Sequence, residues 1–409
     1  VLVPTLTGLS VSSTLLFAGL GTLLFHLLTK RKVPAFLGSS FAFLGGYAAV
    51  KSLVENSGTG ANWIPYAGVG VACAGLLYVI VSMLFKAFGP NKVMRFFPPV
   101  VTGPIIICIG ITLANSAVNN CATNWWIAIL AVAIVVVFNI WGKGMFKIIP
   151  ILLGVVGSYL VAALCGQVDF TKVQEAAWIG LPFDWKDTTF SLIGNVDGSL
   201  LASAIAMMMP IALATMMEHI GDMCAISSTV GQNFISDPGL HRSLLGDGLA
   251  TALAAIFGAP ANTTYGENTG VLALTKVYDP RVIRLAACIA VVFSFCPKFA
   301  ALVSCMPAAT IGGVSLILYG MISAVGVRNI VENQVDFTKS RNVIIAAMIM
   351  SLSLGIAFSK AGAISFMVGG ITISLSGLAV ASLVGILLNA ILPGNDYQFG
   401  VNVLGDTSV

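Results

Sequence analysis

The chain has 409 residues, of which 57% are hydrophobic and only 9% charged, with a mean hydropathy of +0.97 and a formal net charge of +4. An ordinary soluble domain is about a quarter charged, so this composition cannot cover an aqueous surface and implies a polytopic membrane protein in contact with lipid. The small positive balance calls for no nucleic-acid partner, because the basic residues fall where membrane loops place them.

Only helices and closed barrels satisfy their backbone in hydrocarbon. Apolar runs of about 18–24 residues, rather than alternating ten-residue segments, select helices and an all-α fold. The chain opens in an apolar context, VLVPTLTGLS, with no signal-peptide pattern. Residues 1–8 therefore read as the second half of a span. Further spans are predicted near 10–29, 33–50, 63–86, 97–115, 124–141, 146–165, 199–225, 243–258, 259–275, 282–303, 307–327, 341–358 and 371–392. With the opening half-span they make fourteen transmembrane segments. The longest polar interval, 166–198, carries Asp169, Glu175, Asp184, Asp187 and Asp197, and divides the chain into two halves of seven spans.

Seven is odd, so two similar halves lie in opposite orientations. LLFAGLGT (15–22) and LLGDGLAT (244–251) share five of eight positions. Each precedes a span broken by Pro, Gly and hydroxyl residues, VPAFLGSSF (33–41) and APANTTYGEN (259–268). PVVTG (99–103) is echoed by PAATIGG (307–313). Interrupted spans at matching places in two halves point to a transporter site near the midplane. With the opening half-span starting in the cytoplasm, fifteen of the 20 Lys and Arg residues fall on the cytoplasmic side. The positive-inside rule then puts both termini in the cytoplasm and the 166–198 loop outside.

Three carboxylates fall at membrane depth: Glu218 and Asp222 in MMEHIGDMCA, and Glu267 in ANTTYGENTG. An ionisable group there costs at least about 2.5–3.5 kcal/mol, and no Lys or Arg stands at comparable depth to offset it. Glu218 and Asp222 are four residues apart on one helix face. Two carboxylates there repel if both ionise, which suits a proton carrier. His219 reads as a packed core histidine, and Asp197 and Asp247 as residues near the membrane interfaces. The helix restarting after Gly266 presents unpaired N–H donors, and Glu267 supplies an acceptor. Such a site suits a flat, neutral heterocycle with alternating C=O and N–H groups, and repels an anion. The eight cysteines and three histidines form no metal-ligand pattern, and no phosphate-binding loop is present. No metal, cofactor or enzymatic activity is therefore expected.

These residues resemble a known family. ENTGVLALTK (267–276) is similar to the signature of the nucleobase–ascorbate transporters: an acidic or amide residue, Asn, any residue, Gly, four residues, Thr and a basic residue or Gly. VPAFLGSSFAF (33–43), EHIGD (218–222), SDPGLHRS (236–243) and GGVSLILYG (312–320) resemble the same family in order, from Val1 to about residue 340. NTTYGENTGV (262–271) looks like its bacterial uracil-permease branch, whereas the purine and xanthine branch tends to carry Gln-Asn at Glu267-Asn268.

The resemblance implies fourteen spans in two inverted repeats, with a short strand in each of the broken spans 3 and 10. A core domain would comprise 1–86 and 199–303, and a gate domain 87–165 and 304–409, with 166–198 as the extracytoplasmic loop. It implies proton-coupled import of uracil across the bacterial cytoplasmic membrane by alternating access, with symport of xanthine, uric acid or another purine as the alternative. The proton would be the coupling ion, and a homodimer through the gate domain follows by family analogy. Glu218 and Glu267 would bind the nucleobase. Gly266 and Phe41 would offer backbone groups, and Phe41 and Tyr265 would pack on or near the ring. Tyr319 would approach from the gate, with Ser40 and Asn268 structural at the site. Asp222, with Glu218 and Glu267, would couple the proton. The chain departs from the best-known uracil-permease pattern, EHxGH, by carrying Asp222 in place of His.

Overall fold

Glycine lets the longest helices approach backbone to backbone. In the computed structural model, a Cβ added to Gly75 would lie 2.6 Å from the Gly248 carbonyl oxygen, where helix Trp63–Phe88 meets helix Leu240–Ile256. A Cβ on Gly110 would lie 2.2 Å from the Tyr319 carbonyl, and one on Gly326 would lie 2.6 Å from the Ile107 nitrogen. These contacts join helix Pro99–Cys121 to helix Ala308–Glu332. Small residues at helix crossings are the usual means of packing where lipid supplies no hydrophobic drive.

The structure describes residues 2–194, 196–369, 371–395 and 397, except for the side chains of Glu267 and Leu274. The rest of the tail assigned to the gate domain lies outside these residues. Among them, six helices are long and apolar enough to cross a membrane: Val11–Leu28, Trp63–Phe88, Pro99–Cys121, Gly198–Val230, Ala308–Glu332 and Ser340–Ala357. A bent pair, Pro280–Ser294 and Pro297–Ser304, makes a seventh if taken as one span. Three shorter apolar helices, Trp125–Ile140, Pro150–Leu164 and Gly377–Ile391, accompany them.

Partners are exchanged between the two halves. Helix Val11–Leu28 packs on Pro280–Ser294, and helix Leu240–Ile256 packs on Trp63–Phe88. Trp125–Ile140 packs on Pro150–Leu164 and on Ala308–Glu332, while Ser340–Ala357 packs on Gly377–Ile391 and on Pro99–Cys121.

Three predicted spans differ in detail. The span at 199–225 divides into Gly198–Met208 and Ile211–Val230, because Pro210 lacks the N–H that would continue the ladder. The span at 282–303 turns by 90° at its break, where Pro297 opens the second helix. The span at 371–392 is helical only over Gly377–Ile391. Its first residues instead pair as a hairpin, Ala363–Val368 with Ile371–Ser376, antiparallel with Val368 opposite Ile371. AISFMV and ITISLS are rich in β-branched and aromatic residues and flank a Gly-Gly pair, a hairpin signal stronger than their hydropathy. The fold is mostly helical rather than purely so.

Candidate functional site

Two further strands lie within the broken stretches. Leu37–Ser39 pairs antiparallel with Asn262–Thr264, Gly38 opposite Thr263. Ser40 N–H donates to the Ala261 carbonyl at 2.8 Å and Tyr265 N–H to the Phe36 carbonyl at 3.2 Å, extending the ladder at both ends. The repeated octapeptides hold these strands in matching ways. Thr22 ends the first octapeptide, and its hydroxyl lies 3.3 Å from the Leu37 carbonyl, to which it donates. Thr251 ends the second and donates to the Asn262 carbonyl at 2.8 Å. Leu37 and Asn262 are each the first residue of their strand. Asn262 also crosses between the halves, its Nδ2 donating to the Phe17 carbonyl at 3.0 Å.

Each strand leads into a helix, Leu44–Asn56 on one side and Glu267–Thr275 on the other. Asn268 N–H donates to the Tyr265 carbonyl at 3.1 Å, which shapes the second restart. The Glu267 side chain lies outside the described residues. Ser40 is fully buried.

Helix Ile211–Val230 passes beneath the second break. Asp222 is buried on it and accepts from the Thr264 hydroxyl at 3.0 Å. A Cβ on Gly266 would lie 2.4 Å from Asp222 Oδ1, so the carboxylate reaches the backbone of the helix restart only because residue 266 is glycine. Glu218 lies one turn back on the same face and is half-buried. Phe41 and Tyr319, from the two halves of the chain, meet edge to face with ring centroids 5.3 Å apart. Tyr265 is placed differently from these two. Its ring covers Gly38, where a Cβ would lie 2.4 Å from Cζ, and its hydroxyl donates to the Ser39 carbonyl at 3.1 Å.

Asp247 is fully buried, with its Oδ2 3.1 Å from Nδ1 of the equally buried His219. His219 Nδ1 also lies 3.3 Å from Thr264 Oγ1, and its Nε2 lies 3.0 Å from Ser243 Oγ. Ser243 directs its hydroxyl hydrogen to the Leu240 carbonyl, and Thr264 directs its own to Asp222. Ser243 therefore accepts from Nε2–H. Nδ1 then faces the Thr264 oxygen and the Asp247 carboxylate. Ser243, His219, Asp247, Thr264 and Asp222 thus form one buried polar network. Two signals pointed to it: LLGDGLAT places a carboxylate where LLFAGLGT has Ala18, and Ser243, Asp247 and Thr251 recur every four residues.

Beside Phe41 a groove of about 570 Å³ opens between helix Leu44–Asn56 and helix Pro99–Cys121, lined by Ala42, Tyr47, Lys51, Thr112 and Ser116 among others. Among the described residues no group of His, Cys, Asp and Glu has the arrangement of a metal site.

A model of a permease family matches residues 1–362. The chain is 41% identical to the uracil permease of Bacillus caldolyticus, over 96% of this chain and 88% of that protein. It is 40% identical to the uracil permease of Bacillus subtilis, over 96% and 89%, and 35% identical to that of Escherichia coli, over 96% and 87%. Among solved structures it resembles the transmembrane domain of a cyanobacterial bicarbonate transporter, BicA, with a TM-score of 0.56 and 14% identity over 95% of this chain and 97% of that one. It also resembles SLC26A9, with a TM-score of 0.57 and 12% identity over 95% and 64%. At these identities the two structures speak to the fold alone.

Proposed function

This chain belongs to the nucleobase–ascorbate transporter family of permeases, and we propose that within it the protein is a symporter that imports uracil with a proton across a bacterial cytoplasmic membrane by alternating access. As a permease it is an integral membrane protein and not an enzyme. The observation that carries the proposal is the position of Asp222, buried under Gly266 and tied to Thr264, one helical turn from Glu218. The site pairs carboxylate acceptors with the N–H donors of a helix start, as a neutral ring with both C=O and N–H edges requires. The names borne by the relatives support uracil as that ring.

In this reading the fourteen spans include the broken and bent segments as well as the long helices, arranged as two inverted repeats. Spans 1–4 and 8–11 form a core domain, and spans 5–7 and 12–14 a gate domain. Glu218 and Glu267 accept from the nucleobase, and Gly266 and Phe41 offer backbone groups. Tyr319 closes over Phe41 from the gate side, which their edge-to-face contact supports. Tyr265 acts by bracing the strand at Gly38 rather than by covering the ring.

The proton moves within the Asp222–Thr264–His219–Asp247 network, whose members lie within 3.3 Å of one another in sequence around the chain. Protonation from outside neutralises the carboxylates and favours substrate. The core then moves against the gate, and loss of the proton to the more alkaline cytoplasm favours release. The test is uptake of labelled uracil into proteoliposomes, with and without an inward proton gradient, challenged by excess unlabelled xanthine. Gradient-driven uptake resistant to xanthine is expected. Block by xanthine would move the specificity to purines, and gradient-independent uptake would remove the coupling.

A further inference from the structure

The polar interval 166–198 is not polar where it meets its surroundings. Trp178, Ile179, Leu181 and Ile193 are 72%, 84%, 80% and 80% exposed, whereas Thr188 in the same loop is fully buried. An aqueous loop of this composition would turn its apolar residues inward.

The outward side chains are held, not loose. Gly180 N–H donates to the Phe295 carbonyl at 3.1 Å, and Lys298 N–H donates to the Ala177 carbonyl at 3.1 Å. Ser13 Oγ donates to the Pro182 carbonyl at 2.8 Å. The Phe183 and Phe190 rings pack on Phe257 with centroids 5.3 Å and 6.0 Å away, and Trp185 stacks on Phe190 at 5.6 Å. These anchors are helix ends: Ser13 in the first turn of Val11–Leu28, Phe257 just past Leu240–Ile256, and Phe295 just past Pro280–Ser294. The loop therefore runs along one rim of the helical bundle. Its apolar face continues onto the last turn of Pro280–Ser294, where Val292 and Phe293 are also exposed.

We propose that this face, centred on Trp178, Ile179 and Leu181, lies in the boundary between headgroups and acyl chains, and that its partner is bilayer lipid. Two features favour lipid over protein. The face is continuous with the exposed apolar surface of a membrane helix. Lys298 also holds its ammonium 4.7 Å from the Trp178 ring centroid, a pairing of interfacial aromatic and snorkelling cation suited to a phosphate-bearing boundary. The loop's charged residues suit its watery edge, where Asp184 and Lys186 pair at 3.2 Å.

The test uses the full chain reconstituted in phosphatidylcholine vesicles, with Trp178 as the sole tryptophan and Phe at the other five positions. Loss of emission with lipid brominated near the headgroup, and none with aqueous iodide, is expected. Loss with iodide alone would place the loop in water and overturn the proposal. Protection from both quenchers would place protein over it, a second copy of this chain included, and would equally overturn it. If the tryptophan-depleted chain fails to fold, 5-fluorotryptophan in the otherwise unaltered chain gives the same answer. The ¹⁹F signal that vanishes in Trp178→Phe should broaden with doxyl lipid, and a sharp signal would overturn the assignment.

Discussion

The Thr264 hydroxyl donates to Asp222 Oδ2 at 3.0 Å, tying a buried carboxylate on one helix to the strand of a broken span 42 residues away. The bond joins the groups read as coupling the proton to those read as holding the substrate. Thr264→Val keeps the β-branched shape and removes the donor. A hydrogen bond to a charged group contributes roughly 1.5–3 kcal/mol, so uptake should fall by about ten-fold or more, with Thr264→Ser restoring most of it. Wild-type uptake by the valine variant, at matched protein levels in proteoliposomes, would show that the bond has no part in transport.

Gly266 should tolerate no side chain. A Cβ there would lie 2.4 Å from Asp222 Oδ1, and Asp222 is packed beneath the helix restart. Gly266→Ala should abolish uptake while the protein still elutes as a monodisperse peak in detergent. Full transport by this variant would mean that the carboxylate can withdraw at no cost to function.

Asp247 and His219 should act as a unit. Their side chains are 3.1 Å apart and fully buried, so removing either removes the other's buried neighbour of opposite polarity. Asp247→Asn and His219→Gln should each lose gradient-driven accumulation. The double variant should be hardly worse than either alone, as coupled groups in one network show interaction energies of about 0.5–3 kcal/mol. Strictly additive losses in the accumulation ratio would separate the two residues.

Gly110 reports on the contact between helix Pro99–Cys121 and helix Ala308–Glu332. Gly110→Val puts branched carbon where a Cβ already lies 2.2 Å from the Tyr319 carbonyl. Overpacking of this kind costs about 1–3 kcal/mol and displaces the backbone that carries Tyr319. The apparent Tm should drop, with uptake falling further than folded protein does. An unchanged Tm would show that the helices can part without penalty.

Lys32, just past helix Val11–Leu28, pairs with Asp237 on the loop that joins helix Ile211–Val230 to helix Leu240–Ile256. Their hydrogen bond, with the lysine's charge, holds the Asp237 carboxyl below the usual carboxylate range. A depressed carboxylate keeps its tie through neutral pH and loses it as pH falls through the lowered value. The Asp237 ¹³C carboxyl resonance should therefore titrate at lower pH than a free aspartate, and Lys32→Met should return it to the ordinary range. Titration unaffected by Lys32→Met would leave the pair without electrostatic consequence.

What the sequence determined by itself were properties each residue carries wherever it sits. Too few charges to face water made this a membrane protein, and long apolar runs made it helical. Glycine, proline and hydroxyl residues at 33–41 and 259–268 marked where helices break. The cost of a carboxylate in lipid singled out Glu218, Asp222 and Glu267. Partnership was decided only in three dimensions. Asp247 sits in a helix whose sequence reads as well for an interface as for the core, and only the packing of Leu240–Ile256 puts it against His219. The contact of Tyr265 with Gly38 across the paired strands is likewise set only by the fold. Residues 371–376 have the hydropathy of a helix start, but their register with 363–368 makes them a hairpin strand. Hydropathy and period measure transfer and local shape, whereas a hydrogen bond between residues tens of positions apart exists only once the fold has brought them within about 3 Å.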